Sequence, residues 1–132
     1  MASSTITLGQ FLRSRRMNAP KKLTIRDMAS ELKVAIGYYC DLENDRRMPS
    51  DSLDLGRLAE LLMLSEEDRN RLYDLAASRI GAVPADIRDT MFNTESGDYA
   101  RAALRLTNEG YASEDDWKKF IWMLEERKKR EG

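Results

Sequence analysis

The stretch TIRDMASELKVAIGYYCDLENDRRMP, residues 24–49, decides the fold of this chain. Its first part has the three- and four-residue spacing of one apolar helix face, at Ile25, Met28, Ala29 and Leu32. Thr24 followed by Asp27 is a pattern that starts such a helix. The side chain of each residue can accept a hydrogen bond from the backbone N–H of the other. Lys33-Val34 then turns the chain, and residues 35–43 are predicted to form a second helix.

The residues after this second helix end the helix and add positive charge. Asn44 and Asp45 tolerate the left-handed backbone that ends a helix, and Arg46, Arg47 and Pro49 follow them. Two short helices around a tight turn, with a basic loop behind them, form a helix–turn–helix. A motif of this size places its second helix in the major groove of DNA while the first crosses the backbone.

The segment resembles the Xre/Cro family of repressors, whose usual run is Thr/Ser-Gln, an Ala, a Gly-Val turn, a Ser-capped recognition helix ending in Glu-Asn-Gly, then basic residues and Pro. The matching positions are Thr24, Ala29, Val34, Leu42, Glu43, Asn44, Arg46 and Pro49. Four positions depart from the pattern, with Ile25 for Gln, Lys33 for the turn Gly, Ala35 for the Ser/Thr cap and Asp45 for the second Gly. Left-handed backbone at Lys33 would cost roughly 1–2 kcal/mol. The resemblance covers about the first half of the chain.

The resemblance implies an all-α fold, a five-helix lambda-repressor-like DNA-binding domain with a C-terminal helical extension. Ser or Thr followed three residues later by an acidic residue or Gln indicates further helix starts at Thr7, Ser65 and Ser113. Pro49-Ser50 is predicted to introduce the fourth helix, and the fifth is predicted to end near Ile80.

The run Gly81-Ala-Val-Pro84 interrupts the helical pattern and marks a predicted boundary. We therefore expect a DNA-binding domain over residues 1–82, and a helical module for oligomerisation or partner binding over residues 83–132. Apolar spacing in the second module predicts a short helix over residues 85–92, then two longer helices, the first closed by Gly110.

Charge is distributed unevenly along the 132 residues, although the net charge is only −1. Residues 1–50 contain nine Lys or Arg against five Asp or Glu, a net charge of +4, whereas residues 51–132 contain thirteen against eighteen, a net charge of −5. This asymmetry predicts a positive surface on the helix–turn–helix and an acidic remainder.

Composition favours a cytoplasmic protein. No window approaches 18 uninterrupted apolar residues, so we expect no membrane span. The opening MASSTITLGQ lacks the apolar core of a signal peptide, so secretion is not expected. The single Cys40 cannot form an intrachain disulfide.

Catalytic chemistry has little support in the sequence. The chain has no His, which excludes a Ser-His-Asp triad and His-ligated zinc. One cysteine excludes a Cys cluster, and no Gly-rich phosphate-binding loop is present. The carboxylates of residues 114–116 are placed to complement a helix dipole. We expect no enzyme activity, no metal and no cofactor.

The resemblance places candidate DNA-binding residues, and double-stranded DNA is the expected partner. Those expected to face base edges are Ile36, Gly37, Tyr38 and Asp41. Those expected to contact phosphates are Thr24, Arg26, Lys33, Asn44, Arg46 and Arg47. For each Arg or Lys the alternative is an ordinary solvated charge, and for Tyr38 it is packing; for Cys40, on the same helix face, packing is favoured.

The chemistry of the predicted reading face is unusual. Ile36 suits a thymine methyl group, Gly37 permits close backbone approach, and Asp41 can accept from cytosine N4. Tyr38 can donate to a base or a phosphate. The face lacks the Arg, Lys, Asn and Gln that usually read bases. Sequence discrimination is therefore expected to be modest, or to depend on DNA shape and half-site spacing.

Arg16 and Glu43 are expected to have a structural role instead. In similar repressors an Arg near the end of the first helix pairs with the Glu that closes the recognition helix. Such a pair would fix the recognition helix against the first helix.

Residues 84–132 contain two Trp, two Phe and two Tyr, which argues against a solvated linker. The residues predicted to bury an apolar face there are Tyr99, Ala103, Leu106, Trp117, Phe120, Ile121 and Leu124. One interpretation packs this face onto the first domain. The favoured one pairs it with a second subunit, because homodimers read two-fold operators with half-sites roughly 34 Å apart.

The leading hypothesis is a dimeric, sequence-specific transcriptional repressor. One alternative is the antitoxin of a toxin–antitoxin pair, whose tail wraps the toxin. Another is a protein-interaction module that has lost DNA binding. Repressors similar to the whole chain often occur beside metallopeptidases of the ImmA/IrrE type, so the resemblance implies such an enzyme as a further possible partner.

Overall fold

The structure is a computed structural model that describes residues 6–131. The described residues divide into two compact units, with the boundary between Asp86 and Ile87. The first five residues, part of the stretch searched for a signal core, lie outside the described residues. Every regular element in the described part is helical, which confirms the predicted all-α class.

The described part of the first unit, from residue 6 onward, contains five α-helices in chain order. They are α1 (Leu8–Met17), α2 (Ile25–Leu32), α3 (Ile36–Glu43), α4 (Leu55–Leu61) and α5 (Glu66–Ile80). All five contribute fully buried side chains to one core, namely Phe11, Leu12, Met28, Tyr39, Leu42, Leu58 and Leu72. The core therefore holds α2 and α3 on a scaffold built from the other three helices.

The predicted helix starts are confirmed. Thr7 caps α1 and Thr24 caps α2, each in a complete capping box. Ser65 accepts a hydrogen bond from the N–H of Asp68 at the start of α5. Each cap satisfies N–H groups that the first turn of a helix leaves without partners.

The predicted start of the fourth helix at Pro49-Ser50 is wrong. Asp54 is the N-cap of α4, and its side chain accepts a hydrogen bond from the N–H of Arg57. A turn precedes it, closed by a bond from the N–H of Leu53 to the carbonyl of Ser50. The turn directs Leu53 into the core, where its exposed fraction is 7%, so packing places the helix start later than the proline suggested.

A 3-10 turn at Ala85–Ile87 crosses the unit boundary, and the second unit contains α6 (Arg88–Asn93), α7 (Glu95–Asn108) and α8 (Glu114–Glu131). The helix predicted over residues 85–92 is therefore split into two short pieces. Gly97 is buried where α7 meets α6, and a β-carbon there would collide with the carbonyls of Thr90 and Met91. Gly110 has φ +95° after α7, as its predicted helix-ending role requires.

α8 is an 18-residue helix without a fully buried residue. Its half-buried Trp117 is tied to α7, because the indole N–H donates to the Thr107 hydroxyl at 2.8 Å. Across residues 6–131, no helix combines the length and the apolar character needed to traverse a bilayer.

Candidate nucleic-acid interface

A tight turn fixes α3 relative to α2. Lys33 stands at the turn glycine of the family pattern and adopts the left-handed conformation, at φ 59° and ψ 42°. The N–H of Val34 then donates to the carbonyl of Ala29 at 3.0 Å. Ala35 is the N-cap of α3 and supplies no side-chain hydrogen bond to the first N–H groups of that helix. Both ends of the turn are thus set by local backbone geometry.

A buried ion pair holds the end of α3 against α1. Arg16 Nε donates to Glu43 Oε2 at 2.7 Å and Nη2 donates to Oε1 at 3.0 Å. Its third contact runs from Nη1 to the carbonyl of Leu23 at 3.1 Å. The Glu43 side chain is 2% exposed and that of Arg16 is 13% exposed. The hydrogen bond to Glu43 raises the pKa of Arg16 above its ordinary value, against the opposing effect of burial.

A second carboxylate anchors the loop after α3 to the start of α1. Asp45 Oδ1 accepts from the N–H of Gly9 at 3.0 Å, and Oδ2 accepts from the Thr7 hydroxyl at 2.6 Å. Its carbonyl accepts from Arg79 Nη2 at 3.1 Å. The sequence pattern predicts only a left-handed backbone for Asp45, which it has at φ 57°. The spacing of 36 residues between Gly9 and Asp45 carries no local signal.

The first turn of α3 presents an open face. Ile36 is 43% exposed, and Gly37 is exposed beside it. A β-carbon on Gly37 would meet no atom of the protein within 4 Å. Packing within this chain therefore does not explain a glycine inside α3, where it costs roughly 0.5–1 kcal/mol relative to Ala.

Tyr38 connects α3 to the loop before α4. Its hydroxyl accepts from the N–H of Ser50 at 2.9 Å and donates to Ser50 Oγ at 3.2 Å. The guanidinium of Arg47 lies 5.5 Å from the centre of its ring. Both polar bonds of the phenol are made within the protein, so this geometry favours the packing role over a free donor to DNA.

Asp41 lies between the two arginines of the basic loop. Its Oδ1 is 3.9 Å from Arg46 Nη1, and its Oδ2 is 4.0 Å from Arg47 Nε. The N–H of Arg46 also donates to the carbonyl of Asp41 at 2.9 Å. The arginine side chains stay 71% and 56% exposed. The structure thus brings Tyr38, Asp41, Arg46 and Arg47 into one cluster, the α3 basic cluster.

The other candidate phosphate contacts lie elsewhere on the motif. Thr24 begins α2, and its hydroxyl accepts from the N–H of Asp27; the returning bond from the Thr24 N–H lowers the pKa of Asp27. Arg26 is exposed in the first turn of α2, and exposed Lys33 is at its other end. Asn44 is exposed, but its amide donates to the carbonyl of Cys40 at 2.9 Å. Cys40 itself is half-buried.

No grouping of three metal-ligating side chains occurs among the residues that the structure describes. The candidate interface consists of a helix with an open first turn and two exposed arginines after its end. An exposed cation beside such a helix suits contact with phosphates.

Comparison with known proteins identifies the first unit. A family model described as a helix-turn-helix domain matches residues 7–72, half of the chain. No curated protein and no solved structure matches the chain. The matched segment begins at the cap of α1 and ends within α5, and so includes α1 to α4 and the first half of α5. The chain therefore belongs to the helix-turn-helix domain family, which points to a DNA-binding regulator.

Proposed function

We propose that this protein is a dimeric, sequence-specific transcriptional repressor of the Xre/Cro type, acting in the cytoplasm. The observation that carries the proposal is that one end of α3 is attached to α1 while the other end is exposed. Its far end is attached to α1 through Glu43 and Asp45, whereas its first turn, Ile36-Gly37, is open. A rigid helix with one open face is what major-groove insertion requires.

In this proposal the cations position the motif on DNA. Arg46 and Arg47 contact phosphates beyond the end of α3, and Arg26 and Lys33 contact the backbone from the two ends of α2. Their exposure supports the assignment, because a phosphate contact needs a cation that is not already enclosed. Thr24 and Asn44 add polar contacts to the DNA backbone, because both side chains stay exposed while they make their bonds at the helix ends.

In this proposal only a few residues of α3 read the DNA sequence. Ile36 meets a thymine methyl group, and Gly37 brings the backbone of α3 close to the base edges. Asp41 accepts from cytosine N4 once phosphates draw Arg46 and Arg47 away from its carboxylate. Tyr38 supports this face through Ser50 and contributes its ring edge. So small a set implies that DNA shape and half-site spacing supply part of the specificity.

The second unit supplies the dimer in this proposal, with DNA binding assigned to residues 1–82 and self-association to residues 83–132. Its support is exposed apolar surface on α7 and α8. Tyr99 is 75% exposed, and Leu106, Phe120 and Ile121 are each close to half exposed. Monomeric proteins rarely leave contiguous apolar surface of this kind to water.

The same apolar surface supports one second candidate, an antitoxin whose second unit wraps a toxin while the first unit regulates its own operon. A toxin, or a metallopeptidase of the ImmA/IrrE type, would then be a protein partner. The two candidates differ in the occupant of α7 and α8, since an antitoxin needs a different protein there.

The deciding experiment is a binding titration of the full chain against DNA upstream of its own gene and against random DNA of equal length, at several salt concentrations. A repressor binds the upstream DNA at least 10³-fold more tightly than random DNA, and both affinities fall as salt rises. Equal affinity for the two DNAs would overturn sequence-specific regulation. Undetectable binding to both would leave a protein-interaction module as the function.

A further inference from the structure

One face of α8 carries an evenly spaced row of residues that ends in opposite charges. The row advances by alternating steps of three and four residues through Glu114, Trp117, Ile121, Leu124 and Lys128. This is the spacing that keeps side chains in a seam facing a second helix. The residues at the centre are apolar, the first is acidic and the last is basic.

The seam is open to solvent over its central part. Ile121 is 48% exposed and Leu124 is 39% exposed. Phe120, which flanks the seam, is 47% exposed and packs edge-on against Trp117 with ring centres 6.4 Å apart. A second helix laid on this seam would remove all of these apolar groups from water.

The charges at the ends of α8 reinforce the pattern. Residues 114–116 are all acidic, and residues 127–130 are all basic. Two copies of α8 side by side in the same direction would place acid against acid and base against base. Two copies in opposite directions would place each acidic end against a basic end, with the helix dipoles also opposed favourably.

We propose that α8 pairs with α8 of a second copy in antiparallel orientation, with the two-fold axis beside Ile121. This pairing rests on the dimer of the proposed function. It adds to that function the surface through which the two copies meet and the register of the two helices. Glu114 and Lys128 lie seven residues to either side of Ile121, so each Glu114 meets the Lys128 of the other copy. Trp117 packs beside the other copy's Leu124.

Contacts within each copy hold the seam residues in position for this pairing. Trp117 is held at one edge of the seam by its bond to Thr107. It lines an apolar groove of about 500 Å³ together with Tyr99, Ala103 and Phe120. The Glu114–Lys118 pair at 3.0 Å is highly exposed on both sides, so exchanging it for a contact across the dimer costs little.

Disulfide trapping tests the orientation directly. All variants are made in the full chain with Cys40→Ala, so that one new thiol is present. Ile121→Cys should form a covalent dimer on mild oxidation. Glu114→Cys alone should not, because the two copies of residue 114 lie roughly 21 Å apart along the antiparallel pair, beyond the roughly 7 Å that a disulfide spans.

A mixture of Glu114→Cys with Lys128→Cys should give the mixed dimer. Lys119→Cys serves as the control that stays monomeric, because Lys119 lies about 200° around the helix axis from Ile121 and is highly exposed. A covalent dimer of Glu114→Cys with itself would mean a parallel pair and would overturn the proposal. Failure of Ile121→Cys to cross-link would overturn it as well.

Sedimentation without DNA provides the second test. Glu114→Lys should weaken the dimer roughly tenfold, since the repulsive contact occurs twice, and adding Lys128→Glu should restore it. A full chain that is monomeric at tens of micromolar would overturn the pairing, even if it binds DNA. A dimer that behaves as described but binds no DNA supports the pairing and rejects the repressor.

Discussion

The carboxylate of Asp45 accepts a hydrogen bond from the N–H of Gly9 at 3.0 Å and thereby joins the loop after α3 to the start of α1. The approach is so close that a β-carbon on Gly9 would lie 2.5 Å from the carbonyl oxygen of Glu43 and 2.8 Å from Asp45 Cγ. Gly9 is therefore the position at which this connection is sterically most constrained.

Gly9→Ala should destabilise the first unit, because the added methyl group must push the α3 exit away from α1. We expect a loss of about 1–3 kcal/mol in the free energy of unfolding, measured by urea denaturation. Gly56→Ala in α4 is the matched control, since its β-carbon would make only ordinary contacts at 3.5 Å or more. Equal stability of the two variants would contradict the steric argument.

Arg16→Ala should cost about 3–5 kcal/mol of stability, because Glu43 would remain buried without its partner. Arg15→Ala is the neighbouring control. The Arg15–Asp68 pair has similar geometry, but its side chains are 31% and 29% exposed, so its loss should cost about 1 kcal/mol or less. A smaller effect at Arg16 than at Arg15 would show that burial of the Glu43 pair is not decisive.

Gly37→Ala separates stability from DNA binding. The new methyl group meets no protein atom, so we expect the folded state to gain roughly 0.5–1 kcal/mol from better helix propensity. Affinity for the upstream DNA should nevertheless fall, because the methyl group intrudes where the backbone approaches the bases. Thermal unfolding and DNA titration measure the two effects. Unchanged affinity in a stabilised variant would remove Gly37 from the interface.

Arg46→Ala and Arg47→Ala should weaken binding to upstream and random DNA alike. Each should reduce the slope of log affinity against log salt by roughly 1, as expected for one lost phosphate contact. Lys119→Ala in α8 is the control, a highly exposed cation in the other unit. If the arginine variants bind like the control, the phosphate assignment is wrong.

Asp41→Asn tests whether this carboxylate reads a base. Removing its charge frees Arg46 and Arg47, so affinity for random DNA should rise. Affinity for the upstream DNA should fall by on the order of 1–3 kcal/mol if the carboxylate accepts from a cytosine. Competition titrations measure the ratio of the two affinities. A ratio that does not change means that Asp41 only orders the α3 basic cluster.

The agreement between sequence and structure is greatest where the signal is local. The caps at Thr7, Thr24 and Ser65 were predictable because their partners are three residues away. The left-handed backbone of Lys33 was implied by the family resemblance, which places Lys33 at the turn glycine of the pattern. The roles in DNA binding stay predictions, since they depend on a partner molecule.

The sequence by itself determined the all-α class and the α2–turn–α3 motif, and the family resemblance implied the pairing of Arg16 with Glu43. Only the tertiary structure decided that Asp45 binds the start of α1, that Tyr38 bonds to Ser50, and that α4 begins after Asp54 rather than at Pro49. The reason is physical: helix periodicity and capping are set by neighbours three or four residues away. Contacts between residues 12 to 36 positions apart form only when the core has brought their helices together.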